Sequence, residues 1–252
     1  MTQELDPIIK QKIDEYSKLK LGTCEVVTPY FINDKRRKDL RAMVGKGTPE
    51  EIIMEARIWE KLKGTHFEQM DAETIKEFLT GRGLGVDCSG FIVHILDAYT
   101  TNKLHKHIWQ LIKIPSSSFS ARLRYMLRPV EQLGASIITN ADNCFEVDLN
   151  DVKVMDLIRS KSIKLNGDHI MIVSKVITDQ DNNVAEIEYT HSTPHYGKLN
   201  GVKTGVIRIK DLNKPLEDQE WLELDESGIC HTLEGYTRDI EDNGLKRLKF
   251  MD

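Results

Sequence analysis

The chain has 252 residues, with 35 Lys and Arg against 40 Asp and Glu, for a formal net charge of −5. That length suits one large domain, or one domain with an added lobe, and leaves room for a sizeable core. A mildly acidic chain is not built to hold nucleic acid or an anionic membrane surface, and no run approaches the roughly 20 apolar residues of a membrane span.

The N-terminal third reads as helical. Met1 to Lys20 is charged and lacks the apolar centre of a signal peptide, so a cytoplasmic location is expected. Pro7 to Leu19 is one amphipathic stretch. The only dense basic run, Lys35-Arg36-Arg37-Lys38, reads as the solvated start of a helix. Thr48-Pro49-Glu50-Glu51 is a helix opening: Thr48 caps, Pro49 takes the first helical position and Glu51 closes a capping box. That helix should run to about Lys63, before Gly64. Asp71 caps another that ends near Thr80. After Gly81, Gly83 and Gly85 a further helix opens at Cys88 and reaches about Tyr99, with Ile92, Ile95, Leu96 and Tyr99 at core spacing. Ser118 to Leu127 is one more, with Phe119, Leu123, Met126 and Leu127 on its apolar face.

After Val152 the pattern turns to strands: Val154–Ile158, His169–Ile177, Val184–His191 and Val202–Ile209, with weaker signals at Trp221–Leu224 and Leu245–Phe250. Helices first and an antiparallel sheet later imply an α+β fold. The glycines near Arg82 suggest a boundary between a helical region, 1–80, and a second unit, 81–252; one continuous domain is the alternative.

Chemistry concentrates at Asp87-Cys88-Ser89-Gly90-Phe91-Ile92. A cysteine in the first turn of a helix meets unpaired backbone N–H groups and the positive end of the helix dipole. Both favour the thiolate, which is the nucleophile. The base must be a histidine brought in by the fold. His169, in Gly167-Asp168-His169-Ile170-Met171-Ile172-Val173, sits near the start of a buried strand after the turn-like Asn166-Gly167. Asp179-Gln180-Asp181-Asn182-Asn183 then turns the chain into the strand that ends at His191. Ala185, Ile187, Tyr189 and His191 share one face of that strand. With a three-residue loop His169 lies opposite His191; with a five-residue loop it faces Thr193 and His191 is its diagonal neighbour. Opposed Cβ atoms lie about 5 Å apart and diagonal ones about 7–8 Å, so either register brings the imidazoles together. The expected triad is Cys88 as nucleophile, His169 as base and His191 to orient it, with His195 after Pro194 as the other candidate for the third place.

GVDCSGFI, GDHIMIV and EYTHS, in that order, resemble the NlpC-type cysteine peptidases, compact papain-like enzymes that cleave bacterial cell-wall peptides. Asp151 to Ile158 is similar to that family's strand before the His motif. The resemblance covers roughly Gly81 to Ser192. It implies a papain-like fold in which a nucleophile helix packs on an antiparallel sheet. It also implies that Cys88 attacks an amide carbonyl, its own N–H forming part of the oxyanion hole. Asp87 and Ser89 match positions that in several members hold the free amine of a peptide substrate. A tyrosine before the cysteine usually completes that subsite. The Tyr-x-Trp-Gly-Gly pattern is missing here, leaving Tyr30 as the replacement and Phe67 as a rival without a hydroxyl. The 81 residues from Cys88 to His169 exceed the compact form, so 97–149 must hold extra helices or a loop over the cleft.

The function expected is hydrolysis of an amide in a small peptide or cell-wall-derived fragment, with no metal or organic cofactor. The same thiol would serve an acyltransferase or a deamidase. Outside enzymes, the domain would be a binding module with a relic site, which a raised thiol pKa would favour. A Cys-His₃ zinc set of Cys88, His169, His191 and His195 draws its ligands from separate elements rather than from a short paired spacing. Cys24, Cys144 and Cys230 read as buried or inert thiols, and His66, His94, His105, His107 and His231 as surface or core histidines.

Overall fold

The fold was obtained as a computed structural model, which describes residues 1–33, 40–115, 119–162, 167–237 and 242–251. The basic run at 35–38, Ser118 and Asn166 lie outside the described residues.

The described elements run in chain order from β1 (Thr2–Glu4) and α1 (Pro7–Ser17) to the small hairpin β2 (Leu19–Leu21) and β3 (Cys24–Val26). The helices α2 (Pro49–Lys63), α3 (Ala72–Gly81) and α4 (Cys88–Leu104) follow. The inserted stretch is helical: α5 (Ile108–Leu111), α6 (Phe119–Leu127), α7 (Pro129–Gln132) and α8 (Ala135–Ile138). Next come β4 (Cys144–Glu146), β5 (Leu157–Ser162), β6 (Gly167–Thr178), β7 (Val184–Thr193), β8 (Gly201–Arg208) and β9 (Glu220–Trp221). The chain closes with α9 (His231–Thr237) and β10 (Gly244–Leu248). It is a mixed α+β fold with an antiparallel sheet in the order β4-β10-β5-β6-β7-β8-β9. β1 adds alongside the far half of β6, where β5 has ended.

The helix starts follow their local chemistry. Thr48 and Glu51 form the reciprocal capping box, and Asp71 accepts from the Thr74 N–H at 2.8 Å. The first half of α4 is largely apolar, and every residue from Cys88 to Leu96 is buried, as a stretch of that composition requires. It runs past Tyr99 to Leu104 and stops where His105 turns left-handed, at φ 53°.

The sheet separates two apolar layers by the alternation of side chains along each strand. Leu157, Ile170 and Ile172 pack with Phe91, Ile92 and Ile95 of α4, and this core continues without a break to Ile9, Tyr16, Ile52 and Leu79. The N-terminal helices therefore share one core with the central helix, across the boundary expected near residue 81. Ile158, Met171, Val173, Tyr189 and Ile207 face the other way, onto Trp221 and Tyr236.

The strand expected at Val154–Ile158 begins only at Leu157. Met155 is left-handed at φ 74°, and the Asp156 carboxylate caps the turn through the Lys153 N–H at 2.8 Å. Both oxygens of that buried carboxylate also grip Arg247 of β10, at 2.7 and 2.8 Å. Trp221–Leu224 is a strand only over Glu220–Trp221. Among the described residues, no helix is long and apolar enough to cross a membrane.

Asp156→Ala would leave the Arg247 guanidinium buried without its carboxylate. A loss of about 3–5 kcal/mol is expected, seen as a lower urea midpoint; an unshifted midpoint would mean the pair adds nothing.

Candidate active site

Asp87 caps α4 by accepting from the Gly90 N–H at 2.6 Å. The loop before α2 crosses the helix mouth so closely that a Cβ on Gly90 would lie 2.3 Å from the Gly45 carbonyl oxygen. That approach delivers Lys46. Its ammonium donates to Asp87 Oδ1 at 2.9 Å and to Ser89 Oγ at 2.5 Å, with only 9% of its side chain exposed. The two side chains flanking Cys88 are thus already engaged by a cation from the chain itself. His94, nearly two turns into the helix, is core; its Nε2 bonds the Lys46 carbonyl at 2.9 Å.

Tyr30 reaches the same place. The main chain of 29–31 clamps onto Val86, and Tyr30 lines two cavities. The first, of about 370 Å³, lies over Lys46, Asp87, Cys88 and Ser89, and its far wall is α7 and α8 of the insertion. The second, of about 230 Å³, holds His169, Thr193, His195 and His231. Tyr30 and Asp168 line both. Phe67 is fully buried against Phe78, away from this cleft.

Cys88 is 6% exposed and sits at the edge of β6. Pairing of β6 with β7 runs down only as far as Ile172 and Thr190, leaving the edge of 168–170 open to the helix mouth. There Cys88 Sγ donates to the Asp168 carbonyl at 3.6 Å. Burial, then the charge of Asp87, pushes the thiol up to about 12; Lys46 and the N–H groups of Ile170 and Ser89 pull the other way. The resting group is therefore a thiol, not the thiolate expected from the helix dipole. Desolvation outweighs the dipole because the sulfur is enclosed.

The hairpin loop is the five-residue form, with Thr178 opposite Val184; two register shifts within the ladder cancel before the site. His191 is accordingly the diagonal neighbour of His169, and His169 Nε2 meets His191 Nδ1 at 2.8 Å. His191 is fully buried, and its Nε2 reaches Glu223 Oε1 at 3.0 Å. Glu223 also accepts from the Tyr189 hydroxyl at 2.7 Å and the Thr232 hydroxyl at 2.8 Å. The Tyr189 ring lies across Gly205 of β8, where a Cβ would come within 2.4 Å of the phenol oxygen, so a larger residue would displace the hydroxyl. Burial raises the Glu223 carboxyl, but its attraction for a proton on His191 and the hydrogen bonds from His191, Tyr189 and Thr232 outweigh it and hold the group down at about 2. Burial above all, with the repulsion that a proton on both rings would bring, carries His169 well below its ordinary value, so its imidazole is neutral.

Among the described residues, no hydrogen bond joins Cys88 to His169, and Nε2 is the only ring nitrogen of His169 with a partner. His195 stacks on His231, with ring centroids 5.8 Å apart, in the cavity that His169 also lines. His231 is held by Asp225 and Glu234. No group of three or more His, Cys, Asp or Glu among the described residues is arranged to hold a metal ion.

Lys46 and Glu223 carried no motif. Lys46 enters from 41 residues before Asp87, and Glu223 from just after a strand of two residues. Their only trace in the sequence is a charge inside a short run that the fold happens to bury. Protein-family models, curated proteins and solved structures were all compared with the chain, and none matches.

The neutral state of His169 makes a stability prediction. Unfolded, it takes a proton near 6.5; folded, it does so only well below that. The unfolded chain thus binds more protons as pH falls through 6.5, and stability is lost on the acid side. The urea midpoint should drop between about pH 7.5 and 5, and less steeply in His169→Gln, with His94 supplying part of the remaining slope in the same direction. An identical slope in the variant would show that His169 is not held neutral.

Proposed function

We propose that the chain is a papain-like cysteine hydrolase of the NlpC type, acting on an amide in a small peptide or peptide-like substrate. The observation that carries this is the ordered run from Glu223 through His191 to His169. It leaves His169 Nδ1 without a partner in the residue whose preceding carbonyl holds Cys88 Sγ. A neutral thiol and a neutral imidazole with one open nitrogen are the starting state of a thiol–imidazole nucleophile.

Turnover begins when Cys88 leaves the Asp168 carbonyl and gives its proton to His169 Nδ1. The sulfur then adds to the substrate carbonyl carbon. The N–H of Cys88, first in its helix, has no acceptor within the helix and faces the developing oxyanion. His169 returns its proton to the leaving nitrogen as the C–N bond breaks. Water, deprotonated by His169, releases the acid and restores the thiol. The N–H groups of Ile170 and Ser89 favour the sulfur anion whenever it forms.

Lys46 bears on the substrate. Its ammonium stands where the resemblance would put a substrate's free amine, between Asp87 and Ser89. A free N-terminus is therefore not required, and a second cation there would meet Lys46 at close range. The α7–α8 wall of the larger cavity sets the shape of what enters.

A binding module without turnover is the second reading. The thiol raised to about 12 and its bond to a backbone carbonyl favour it. Against it stands the neutral His169 with an open nitrogen, in the residue that follows the carbonyl holding that thiol, which binding alone does not call for.

Short peptide amides with free and with acetylated N-termini separate the readings. The hydrolase should cleave acetylated members as readily as free ones and carry a transient acyl mass on Cys88. Cys88→Ala should keep the far-ultraviolet circular dichroism and lose all turnover. A wild-type chain as inert as Cys88→Ala across the panel would favour the binding module; trapping of the acyl group by added amine in place of water would make it an acyltransferase.

A further inference from the structure

We infer that Glu223 is a positioning residue that sets which nitrogen of each imidazole carries the proton, leaving His169 Nδ1 bare. The inference deepens the hydrolase reading, but its decisive measurement needs no substrate.

A carboxylate only accepts hydrogen bonds. His191 Nε2, at 3.0 Å from Glu223 Oε1, must therefore carry a proton. When His191 is neutral its Nδ1 is then bare and accepts across the 2.8 Å contact from His169 Nε2–H. His169 is neutral as well, so its second nitrogen, Nδ1, holds a lone pair and no proton. Of the four tautomer combinations of two neutral imidazoles, one satisfies both hydrogen bonds. A base must offer a lone pair to the thiol, and that combination supplies it at the open nitrogen. A chain of hydrogen bonds in a buried setting passes this choice along, because each wrong proton would leave two donors or two acceptors facing each other.

Glu223 is fit to make the choice. Only 2% of its side chain is exposed, and Tyr189 and Thr232 both donate to Oε2, so Oε1 is left for His191 with Lys203 Nζ 3.5 Å away. The Tyr196 hydroxyl, bonded to the Glu223 carbonyl at 3.0 Å and to Thr232 Oγ1 at 3.1 Å, ties the backbone of this residue to α9. The carboxylate cannot turn away without breaking several bonds at once.

Glu223→Gln is the informative variant. Its carboxamide oxygen is claimed by the Tyr189 and Thr232 donors, which turns the NH₂ group towards His191. His191 must then accept at Nε2 and carry its proton on Nδ1. The next bond reverses too, and the His169 proton moves to Nδ1, the nitrogen that should receive the thiol proton.

Long-range ¹⁵N–¹H correlation spectra of the imidazoles at about pH 8, assigned with His169→Gln and His191→Gln, read these states directly. In the wild type both histidines should be protonated on Nε2. In Glu223→Gln both should switch to Nδ1, and alkylation of Cys88 by iodoacetamide should slow at least tenfold. Tyr189→Phe, which keeps the carboxylate, should retain the wild-type tautomers. A wild-type spectrum with the proton of either histidine on Nδ1 overturns the inference whether or not any variant folds, as does a Glu223→Gln spectrum unchanged from wild type. If the tautomers are as stated and no peptide is cleaved, the hydrolase reading fails and the role of Glu223 in ordering the histidines stands.

Discussion

Taking an ionised carboxylate out of water costs several kcal/mol unless donors replace the lost hydration. Glu223 meets that condition with an imidazole, two hydroxyls and a nearby ammonium, drawn from β7, β8 and α9. The face of the sheet away from α4 is organised around this requirement. Tyr189 can donate only because Gly205 leaves room for its ring, and Thr232 only because Tyr196 anchors α9 over the sheet. His191, wholly buried, has one orientation that satisfies both of its nitrogens, and His169 inherits its own from that.

A second buried carboxylate governs the other half of the site. Asp87 caps the central helix and would repel a thiolate one residue away; Lys46 offsets that repulsion only in part. The thiol accordingly stays protonated, although it sits at a helix start. Enclosure of the sulfur decides this, since the benefit of the dipole is small beside the loss of solvation. The open edge of β6 is what lets the sulfur reach the carbonyl of the residue before His169.

Much of the fold was legible. Periodicity and caps located α1 to α4 and the strands β6 to β8 within a few residues, because each has a strong local signal: a capping box at Thr48, an Asp cap at Asp71, the glycines that give way to an apolar run at Cys88, alternation in Val184–His191. Side-chain parity also placed His191 beside His169 before any coordinates, since a period of two is a property of every extended chain. The misses lie where long-range partners override local pattern. Val154 and Met155 are apolar enough for a strand, yet Asp156 is drawn into a turn by Arg247, 91 residues on. Lys46 and Glu223 are charged residues of unremarkable context whose burial depends on the approach of distant segments.

By itself, then, the sequence determined the helix mouth at Cys88, the hairpin that carries two histidines and the order in which they occur, because these rest on spacing between near neighbours. Tertiary structure alone decided that the thiol is neutral, that Lys46 occupies the space between Asp87 and Ser89, and that a glutamate stands behind the second imidazole. Protonation and ion pairing depend on which charges share a solvent-excluded volume, and that volume exists only once segments tens to more than a hundred residues apart have packed.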